Sequence, residues 1–323
     1  MPSEFDLIAR HFARPAPAGM LGVGDDCALF PVPAGRQVAA SADLLLEGRH
    51  FLPDVDPRLL GHKALAVNLS DLAAMGAQPI GCLLSLALPR ADEAWLAAFA
   101  DGFHALAQAH GCPLLGGDTT RSAQGLAIGV TVFGAVDPAA ALRRDAARPG
   151  DDVWVSGPLG AADAALNLLL GRWPADPARL AALRPALESP QPRVALGRAL
   201  AGVAHAAIDI SDGLLQDLGH VLAASGCGAV LREADLPAHP GLAGLAGGLV
   251  RRAVLGGGDV YELCFTAAPG RRDAVQAAAR AAGGPPPARI GEIRAEPGLV
   301  VLDTQGRPLD DLPAGFDHFG AGG

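Results

Sequence analysis

Aspartate residues recur in short turns that also contain glycine or serine, and their side chains are the groups best suited to chemistry. These turns occur at 24–26, 41–43, 68–71, 116–118, 209–213 and 257–259. Loops at strand ends are where sites are commonly built, and small neighbours let a phosphate approach the backbone closely. Carboxylates suit magnesium, which fills its remaining positions with water and substrate phosphates. The pattern therefore favours a site with several metal ions that handles phosphates.

Each turn taken alone has a simpler interpretation, because Asp beside Gly is common in ordinary turns and helix caps. Asp71 differs, since it falls within a predicted apolar helix, where a buried carboxylate without a partner would be costly. Asp209 and Asp212 have the residue types of a glycosidase pair, but no sugar-binding platform is evident. The set as a whole indicates metal binding more strongly than acid–base catalysis.

Other catalytic motifs are absent from the sequence. Lys63 is the only lysine, and no G-x-x-x-x-G-K-[ST] segment surrounds it, so no P-loop is predicted. The H-R-D and D-F-G motifs of protein kinases, a G-x-S-x-G elbow and an H-E-x-x-H helix are also missing. His50 and His62 have no partner at metal-ligand spacing.

The composition excludes further classes of protein. The 323 residues are 50% hydrophobic with a net charge of -9, which supports a packed core and argues against nucleic acid as a partner. Five widely spaced cysteines are typical of reduced thiols rather than disulfides or a zinc site. The N-terminus lacks the features of a signal peptide, and no run of about 18 apolar residues exists. We therefore expect a cytoplasmic protein without a membrane partner.

Strands and helices in both halves must position the aspartate turns. The first half predicts strands at 37–46, 80–88, 113–115 and 126–136, with helices at 3–12, 57–74 and 92–109. The second half predicts strands at 151–156, 206–210, 229–232, 261–266 and 289–293, with helices near 160–170, 177–187, 193–203, 211–224 and 271–282. Strict alternation is lacking, which favours an α+β fold over a doubly wound sheet. We predict domains at 1–137 and 150–323, joined by a linker at 138–149.

Several motifs occur in an order that matches a known family. They are Val23-Gly24-Asp25-Asp26-Cys27-Ala28, Asp43, His50-Phe51-Leu52-Pro53, Ala66-Val67-Asn68-Leu69-Ser70-Asp71-Leu72-Ala73-Ala74-Met75-Gly76-Ala77, Gly116-Gly117-Asp118-Thr119-Thr120, Ile208-Asp209-Ile210-Ser211-Asp212-Gly213-Leu214, Tyr261-Glu262-Leu263-Cys264-Phe265 and Gly315-Phe316-Asp317-His318-Phe319. Over nearly the whole chain the sequence closely resembles the thiamine-monophosphate kinase family. The motifs at 23–28 and 66–77 alone indicate only the wider superfamily of aminoimidazole ribonucleotide synthetase-like ATP-users.

The resemblance implies two αβ domains of the aminoimidazole ribonucleotide synthetase-like type and a homodimer formed by the N-terminal domains, which also bind ATP and metal. It implies transfer of the γ-phosphoryl group of ATP to thiamine monophosphate, with several Mg²⁺ ions. The metal set that it implies is Asp26, Ser41, Ala42, Asp43, Asp71, Asp118, Asp209 and Asp212. The ATP set is Gly117, Asp118, Arg144 and Ser211, and the substrate set is His50, Asp259 and Phe316.

The chain departs from the family pattern at two places. Ala42 stands where the family has Thr, and the run 257–260 reads Gly-Gly-Asp-Val where the family has Gly-Gly-Glu-Asp. Two alternatives follow: a superfamily ATP-user with a different acceptor, and a nucleotide-binding module whose substrate pocket has decayed.

Overall fold

The computed structural model of the protein describes residues 4–24 and 26–316. The chain forms two compact units: unit 1 comprises the residues up to Leu72 together with Ala77–Ala139, and unit 2 comprises Ala73–Gly76 together with the residues from Ala140 onward. Each unit has its own sheet and helices, so the α+β prediction is confirmed. The linker predicted at 138–149 spans the point where unit 1 ends, and its role as a linker stays a prediction.

The first half of the chain builds a four-stranded sheet and its helices. The elements are α1 (Glu4–Leu7), β1 (Gln37–Leu46), α2 (Pro57–Ala74), β2 (Gln78–Leu88), α3 (Glu93–His110), β3 (Leu114–Arg121) and β4 (Ala127–Val136), with a π-helical turn at Ile8–Phe12. The strand order is β1-β4-β2-β3. Strands β2 and β3 are parallel, and the other neighbours are antiparallel.

Helices α2 and α3 approach each other so closely that their crossing requires glycine. A Cβ added at Gly61 would lie 2.0 Å from the carbonyl oxygen of Phe99, and one at Gly102 would lie 1.8 Å from that of Arg58. Side chains would therefore force the two backbones apart. The crossing fixes α2, which carries Asp71, against its neighbour.

The two faces of the unit 1 sheet differ sharply in exposure. Ile128, Val130 and Val132 of β4 are buried on one face, as the period of two in a strand predicts. Leu44 and Leu46 of β1 lie on the opposite face and are 57% and 40% exposed. One face of the sheet thus belongs to the core of unit 1, and the other remains accessible in the single chain.

The second half of the chain builds a six-stranded sheet. Its elements are β5 (Asp152–Val155), α4 (Ala161–Leu169), α5 (Pro177–Glu188), α6 (Val194–Leu200), β6 (Ala206–Asp209), α7 (Leu214–Ser225), β7 (Gly228–Arg232), α8 (Gly247–Gly256), β8 (Leu263–Ala267), α9 (Arg272–Ala281), β9 (Ala288–Arg294) and β10 (Gly298–Leu302). The order is β10-β7-β9-β5-β8-β6, and only the β10–β7 pair is parallel among these described strands. A core of residues from α4, α5, α7 and α8 packs on one face.

Several sequence predictions need correction. Of the aspartate segments predicted as turns, 41–43 lies within β1 and 68–71 lies within α2. The segment 116–118 is also not a turn, because it lies within β3 beside β2. Gly117 is needed there for close approach, since a Cβ would lie 1.8 Å from the carbonyl oxygen of Leu84. Ser211 does not cap α7; Gly213 occupies the cap position, and the helix begins at Leu214. Helix α8 and strand β10 were not predicted from the sequence.

Within the described residues, no helix is long and apolar enough to cross a membrane.

Candidate active site

The turn at 209–213 connects β6 to α7 and brings three predicted site residues together. Asp209 ends the strand and is buried, whereas Ser211 and Asp212 are half-buried. Gly213 has φ 124, and a Cβ there would lie 2.7 Å from the carbonyl oxygen of Gly256. A side chain at 213 would therefore be strained and crowded, so this glycine lets the turn lie directly against the end of α8.

Asp217, in the first turn of α7, holds the 209–213 turn from inside the unit. Its Oδ2 accepts the backbone N–H groups of Asp212 at 3.0 Å and Gly213 at 3.1 Å. Burial raises the pKa of Asp217 to about 7; those N–H groups oppose the rise, and the charge of Asp212 adds to it. Asp217 was not among the residues predicted from the sequence, although an acidic residue in the first turn of a helix is a recognisable signal for such a role.

The segment 257–261 lies directly beside the 209–213 turn. The backbone N–H of Asp259 donates to the carbonyl of Ser211 at 2.8 Å, and that of Tyr261 donates to Ile210 at 2.8 Å. Asp259, predicted to contact the substrate, is thereby placed next to Ser211, predicted to contact ATP.

Phe316 completes this group of residues. Its N–H donates to the carbonyl of Asp212 at 2.9 Å, and its carbonyl accepts the side-chain amide of Gln216 at 2.8 Å. The ring is on the surface, with a residue exposure of 36%. Five predicted site residues of unit 2 therefore lie on segments that are hydrogen-bonded to one another, namely Asp209, Ser211, Asp212, Asp259 and Phe316.

Arg144 lies at the other end of α7. Its carbonyl accepts the hydroxyl of Ser225 at 2.8 Å, and Ser225 is the last residue of the helix. Leu214 and Ser225 are separated by about 16 Å at 1.5 Å per residue. The backbone of Arg144 is therefore far from Ser211, and its role in binding ATP stays a prediction.

Unit 1 brings a second set of oxygen ligands together between β1 and α2. The hydroxyl of Ser41 donates to Oδ2 of Asp71 at 2.5 Å, and the N–H of Asp43 donates to Oδ1 of Asn68 at 3.0 Å. Burial, and then the charge of Asp71, raise the pKa of Asp43 to about 6. Two carboxylates that disfavour each other's charge, flanked by neutral oxygens, are a donor set that fits a hard divalent cation.

The remaining predicted residues of unit 1 are more dispersed. Asp26 is exposed, and Asp25 lies outside the described residues. Ala42 is on the exposed face of β1, opposite to Ser41 and Asp43. Because β1 and β3 are the two edges of the sheet, Gly117 and Asp118 are about 14 Å from Asp43 at about 4.8 Å per strand.

His50 and Lys63 are hydrogen-bonded to each other. Nδ1 of His50 accepts the N–H of Leu46 at 2.9 Å, and the carbonyl of His50 accepts Nζ of Lys63 at 3.2 Å. Lys63 is only 2% exposed. Within 4–24 and 26–316, no group of three His, Cys, Asp or Glu side chains is placed to hold a metal ion, and the predicted metal set stays a prediction.

Glu262, at the end of the 257–261 segment, was also missed as a functional candidate. Its buried carboxylate forms an ion pair with Arg193 and accepts the hydroxyl of Ser156. The same hydroxyl accepts the N–H of Leu263 at 2.7 Å. The network joins the end of the segment to Ser156, which follows β5, and to Arg193, which precedes α6.

Comparison of the sequence with known proteins identifies related families and relatives. Two family models match, "AIR synthase related protein, N-terminal domain" at 24–136 and "AIR synthase related protein, C-terminal domain" at 148–304. The chain is 42% identical over 321 residues to the thiamine-monophosphate kinase of Salmonella typhimurium, covering 98% of both sequences.

Solved structures show the same relationship. The thiamine-monophosphate kinase from Stenotrophomonas maltophilia has a TM-score of 0.83 and 46% identity, over 91% of this chain and 93% of that one. AaThiL, complexed with AMPPCP and TMP, has a TM-score of 0.77 and 29% identity, over 89% of each chain.

Proposed function

The chain belongs to the thiamine-monophosphate kinase family, and we propose from this membership that it phosphorylates thiamine monophosphate to thiamine diphosphate with ATP. This reaction is the last step of thiamine diphosphate biosynthesis. One observation carries the proposal: the segments 209–213 and 257–261 and Phe316, assigned by resemblance to metal, nucleotide and substrate, are hydrogen-bonded to one another. The relative complexed with AMPPCP and TMP supports the same pair of ligands.

The acceptor explains why no general base is assigned. A phosphate monoester has a second pKa near 6, so it is largely ionised at neutral pH and is already a nucleophile. The protein must instead hold two polyanions in line and offset their repulsion. Carboxylates that bind metal ions, rather than accept a proton, meet that requirement.

We propose that Mg²⁺ is held in both units. In unit 1, Asp43, Asp71 and the hydroxyl of Ser41 supply hard oxygen ligands, and a cation would offset the repulsion between the two carboxylates. In unit 2, Asp209 and Asp212 supply carboxylates. The resemblance to the family adds three further Mg²⁺ ligands, namely Asp26, Asp118 and the backbone of Ala42. When bound, Mg²⁺ neutralises charge on the phosphates.

The other residues are assigned to the two substrates. Asp259 and the ring of Phe316 suit the thiazolium of thiamine, because a carboxylate and an aromatic face both attract a cation. Ser211, Gly117, Asp118 and Arg144 are assigned to ATP, and His50 is assigned to the substrate.

A direct assay tests the function. The purified protein is incubated with ATP, Mg²⁺ and thiamine monophosphate, and thiamine diphosphate is measured as its fluorescent thiochrome derivative by chromatography. We expect ADP and thiamine diphosphate in equal amounts, and no product after addition of excess chelator. Unphosphorylated thiamine is the matched control acceptor, and it should give no product because it lacks the nucleophilic phosphate. Absence of product with ATP still bound would overturn the proposal and favour another acceptor or a decayed pocket.

We also propose a homodimer in which a second copy of the chain covers the exposed face of the unit 1 sheet. The residues on this face, which we call the open face, are Val38, Ala40, Ala42, Leu44 and Leu46 of β1, Ala127, Gly129, Thr131 and Phe133 of β4, and Leu83, Ser85 and Ala87 of β2. Most of these are apolar or small, and Val38 and Leu44 are about half exposed in the single chain. Contiguous apolar surfaces of this kind mark protein–protein interfaces.

The cytoplasmic location stays a prediction from the sequence.

A further inference from the structure

The segment 257–261 contains an unusual backbone. Asp259 has φ 58 and Tyr261 has φ 54, and within the described part of the chain they are the two non-glycine residues with positive φ. Side chains disfavour this left-handed region because of contact between Cβ and the backbone. Such conformations persist where the surroundings impose them, and they concentrate at functional sites.

The surroundings hold this segment at both ends. At its start, a Cβ added to Gly257 would lie 2.5 Å from Cβ of Asp163, and one added to Gly258 would lie 2.6 Å from the carbonyl oxygen of Ser211. At its end, the Glu262 carboxylate is paired with Arg193. The segment is therefore clamped between two fixed points.

Between these points, the side chain of Tyr261 is directed to Asp259. Its hydroxyl donates to Oδ1 of Asp259 at 3.0 Å, and the residue is 9% exposed. The buried ring has little freedom, so its hydroxyl is a fixed donor. The carboxylate oxygen is held relative to the backbone of the same segment.

This carboxylate has no acidic neighbour within the segment. Residues 257–261 read Gly-Gly-Asp-Val-Tyr, so Asp259 supplies the one negative charge among them. Any attraction of this segment for a cationic ligand depends on where that single carboxylate points. A group that fixes its direction therefore contributes to affinity.

We propose that Tyr261 is a positioning residue for thiamine monophosphate: its hydroxyl orients the Asp259 carboxylate toward the cationic ring of the substrate. This inference rests on the proposed function. Tyr261 acts through Asp259 and has no part in the transfer of the phosphoryl group, so its loss should weaken binding of one substrate rather than slow the chemistry.

Steady-state kinetics of Tyr261→Phe test the proposal. The change removes only the hydroxyl, and we expect KM for thiamine monophosphate to rise about three- to tenfold, the value of one hydrogen bond. The values of kcat and of KM for ATP should stay within about twofold. The lost interaction stabilises bound thiamine monophosphate equally in the ground state and in the transition state. An unchanged KM for thiamine monophosphate in an active wild-type protein would overturn the proposal. An inactive wild-type protein would instead overturn the proposed function.

Two further variants separate positioning from a general structural effect. Thr266→Val removes a buried hydroxyl of β8 that accepts the N–H of Ala206 at 3.3 Å, and it should leave both KM values unchanged. In an Asp259→Asn background, Tyr261→Phe should have little additional effect, because the carboxylate that it orients is gone. The same fold-change in both backgrounds would contradict the inference.

A spectroscopic measurement gives an independent result. Tyr261 is the only tyrosine in the chain, so incorporation of 3-fluorotyrosine yields a single fluorine NMR signal at this position. We expect the signal to shift when thiamine monophosphate is added and to stay in place when the ATP analogue AMPPCP is added alone. A signal that does not respond to saturating thiamine monophosphate would contradict the proposal even if the kinetics of Tyr261→Phe were altered.

Discussion

Two carboxylates lie close together between β1 and α2, and each makes the charge of the other less favourable. Asp43 and Asp71 lie close enough for the charge of one to raise the pKa of the other. The Ser41 hydroxyl and the Asn68 amide orient these groups but add no positive charge. A divalent cation would reverse this balance, because it favours both ionised carboxylates.

Asp71→Asn should therefore abolish most of the activity. The variant keeps the size of the side chain and an oxygen that can accept from Ser41, but it removes one charge. Changes around metal ligands commonly cost about 10- to 100-fold, so loss of a ligand itself should lower kcat by at least about 100-fold. The measurement is kcat against magnesium concentration, where excess magnesium is expected to restore part of the rate. Near-normal turnover at ordinary magnesium would contradict the multi-metal hypothesis.

Asp163 provides a prediction about pH. Burial is the main cause that raises the pKa of this carboxyl, and its Oδ2 is a buried atom without a hydrogen-bond partner among the described residues. Because the folded pKa lies above the unfolded one, the folded state binds the proton more tightly. The stability that this proton confers is present below the unfolded pKa and is lost as pH rises through the folded pKa.

Asp163→Asn should accordingly stabilise the protein at neutral pH by roughly 1 kcal/mol. This value is the lower end of the free-energy cost of a buried polar group without a hydrogen bond. The gain should shrink as the pH is lowered toward the pKa of an unfolded aspartate. Thermal unfolding of both proteins between pH 4 and 8 in the absence of ligands measures this difference, and Asp273→Asn, at an exposed position in the first turn of α9, is a suitable control. A gain that is independent of pH would exclude ionisation as its cause.

At the scale of elements, the sequence predicts best where local signals determine the structure. Helix α3 was predicted well because Asp92 caps its first turn and Gly111 ends it with φ 60. The segment 116–118 was mistaken for a turn because Gly-Gly-Asp is also a turn sequence. Its glycines instead serve a tertiary contact with β2, which no local pattern reveals. The same limit explains why the hydrogen bonds between 209–213 and 257–261 could not be predicted, since these segments are distant in sequence.

The crossing of α2 and α3 gives a prediction with a matched control. Gly61→Ala should destabilise unit 1 by several kcal/mol, because its Cβ would overlap the Phe99 carbonyl. Gly219→Ala, in α7, has no atom within 4 Å of the added Cβ. That change should stabilise the protein by about 0.5–1 kcal/mol through helix propensity. Denaturant unfolding of both variants is the measurement, and equal effects would contradict the close packing.

At the scale of the whole molecule, the open face is the feature that a single chain leaves unexplained. On the opposite face, Leu45 of β1 and Ile128, Val130 and Val132 of β4 are buried, whereas apolar residues of β1 on the open face remain accessible to solvent. The burial of this face by a second copy would remove apolar area from water and would stabilise unit 1 by mass action.

Leu44→Glu should convert the proposed dimer into monomers, because a charge would be buried within the interface on the open face. Leu170→Glu is the control, since Leu170 is a leucine of unit 2 that is 42% exposed and lies outside the open face. Sedimentation velocity at several concentrations distinguishes the two variants. A monomeric wild-type protein, or a Leu44→Glu variant that still forms dimers, would contradict this interface.

The burial of Lys63 has a practical consequence for handling the protein. It is the only lysine, and its amine donates to the His50 carbonyl within unit 1 at 2% exposure. Amine-reactive dyes and cross-linkers would therefore react slowly with this side chain while unit 1 is folded. Labelling of Lys63 would report that unit 1 has opened.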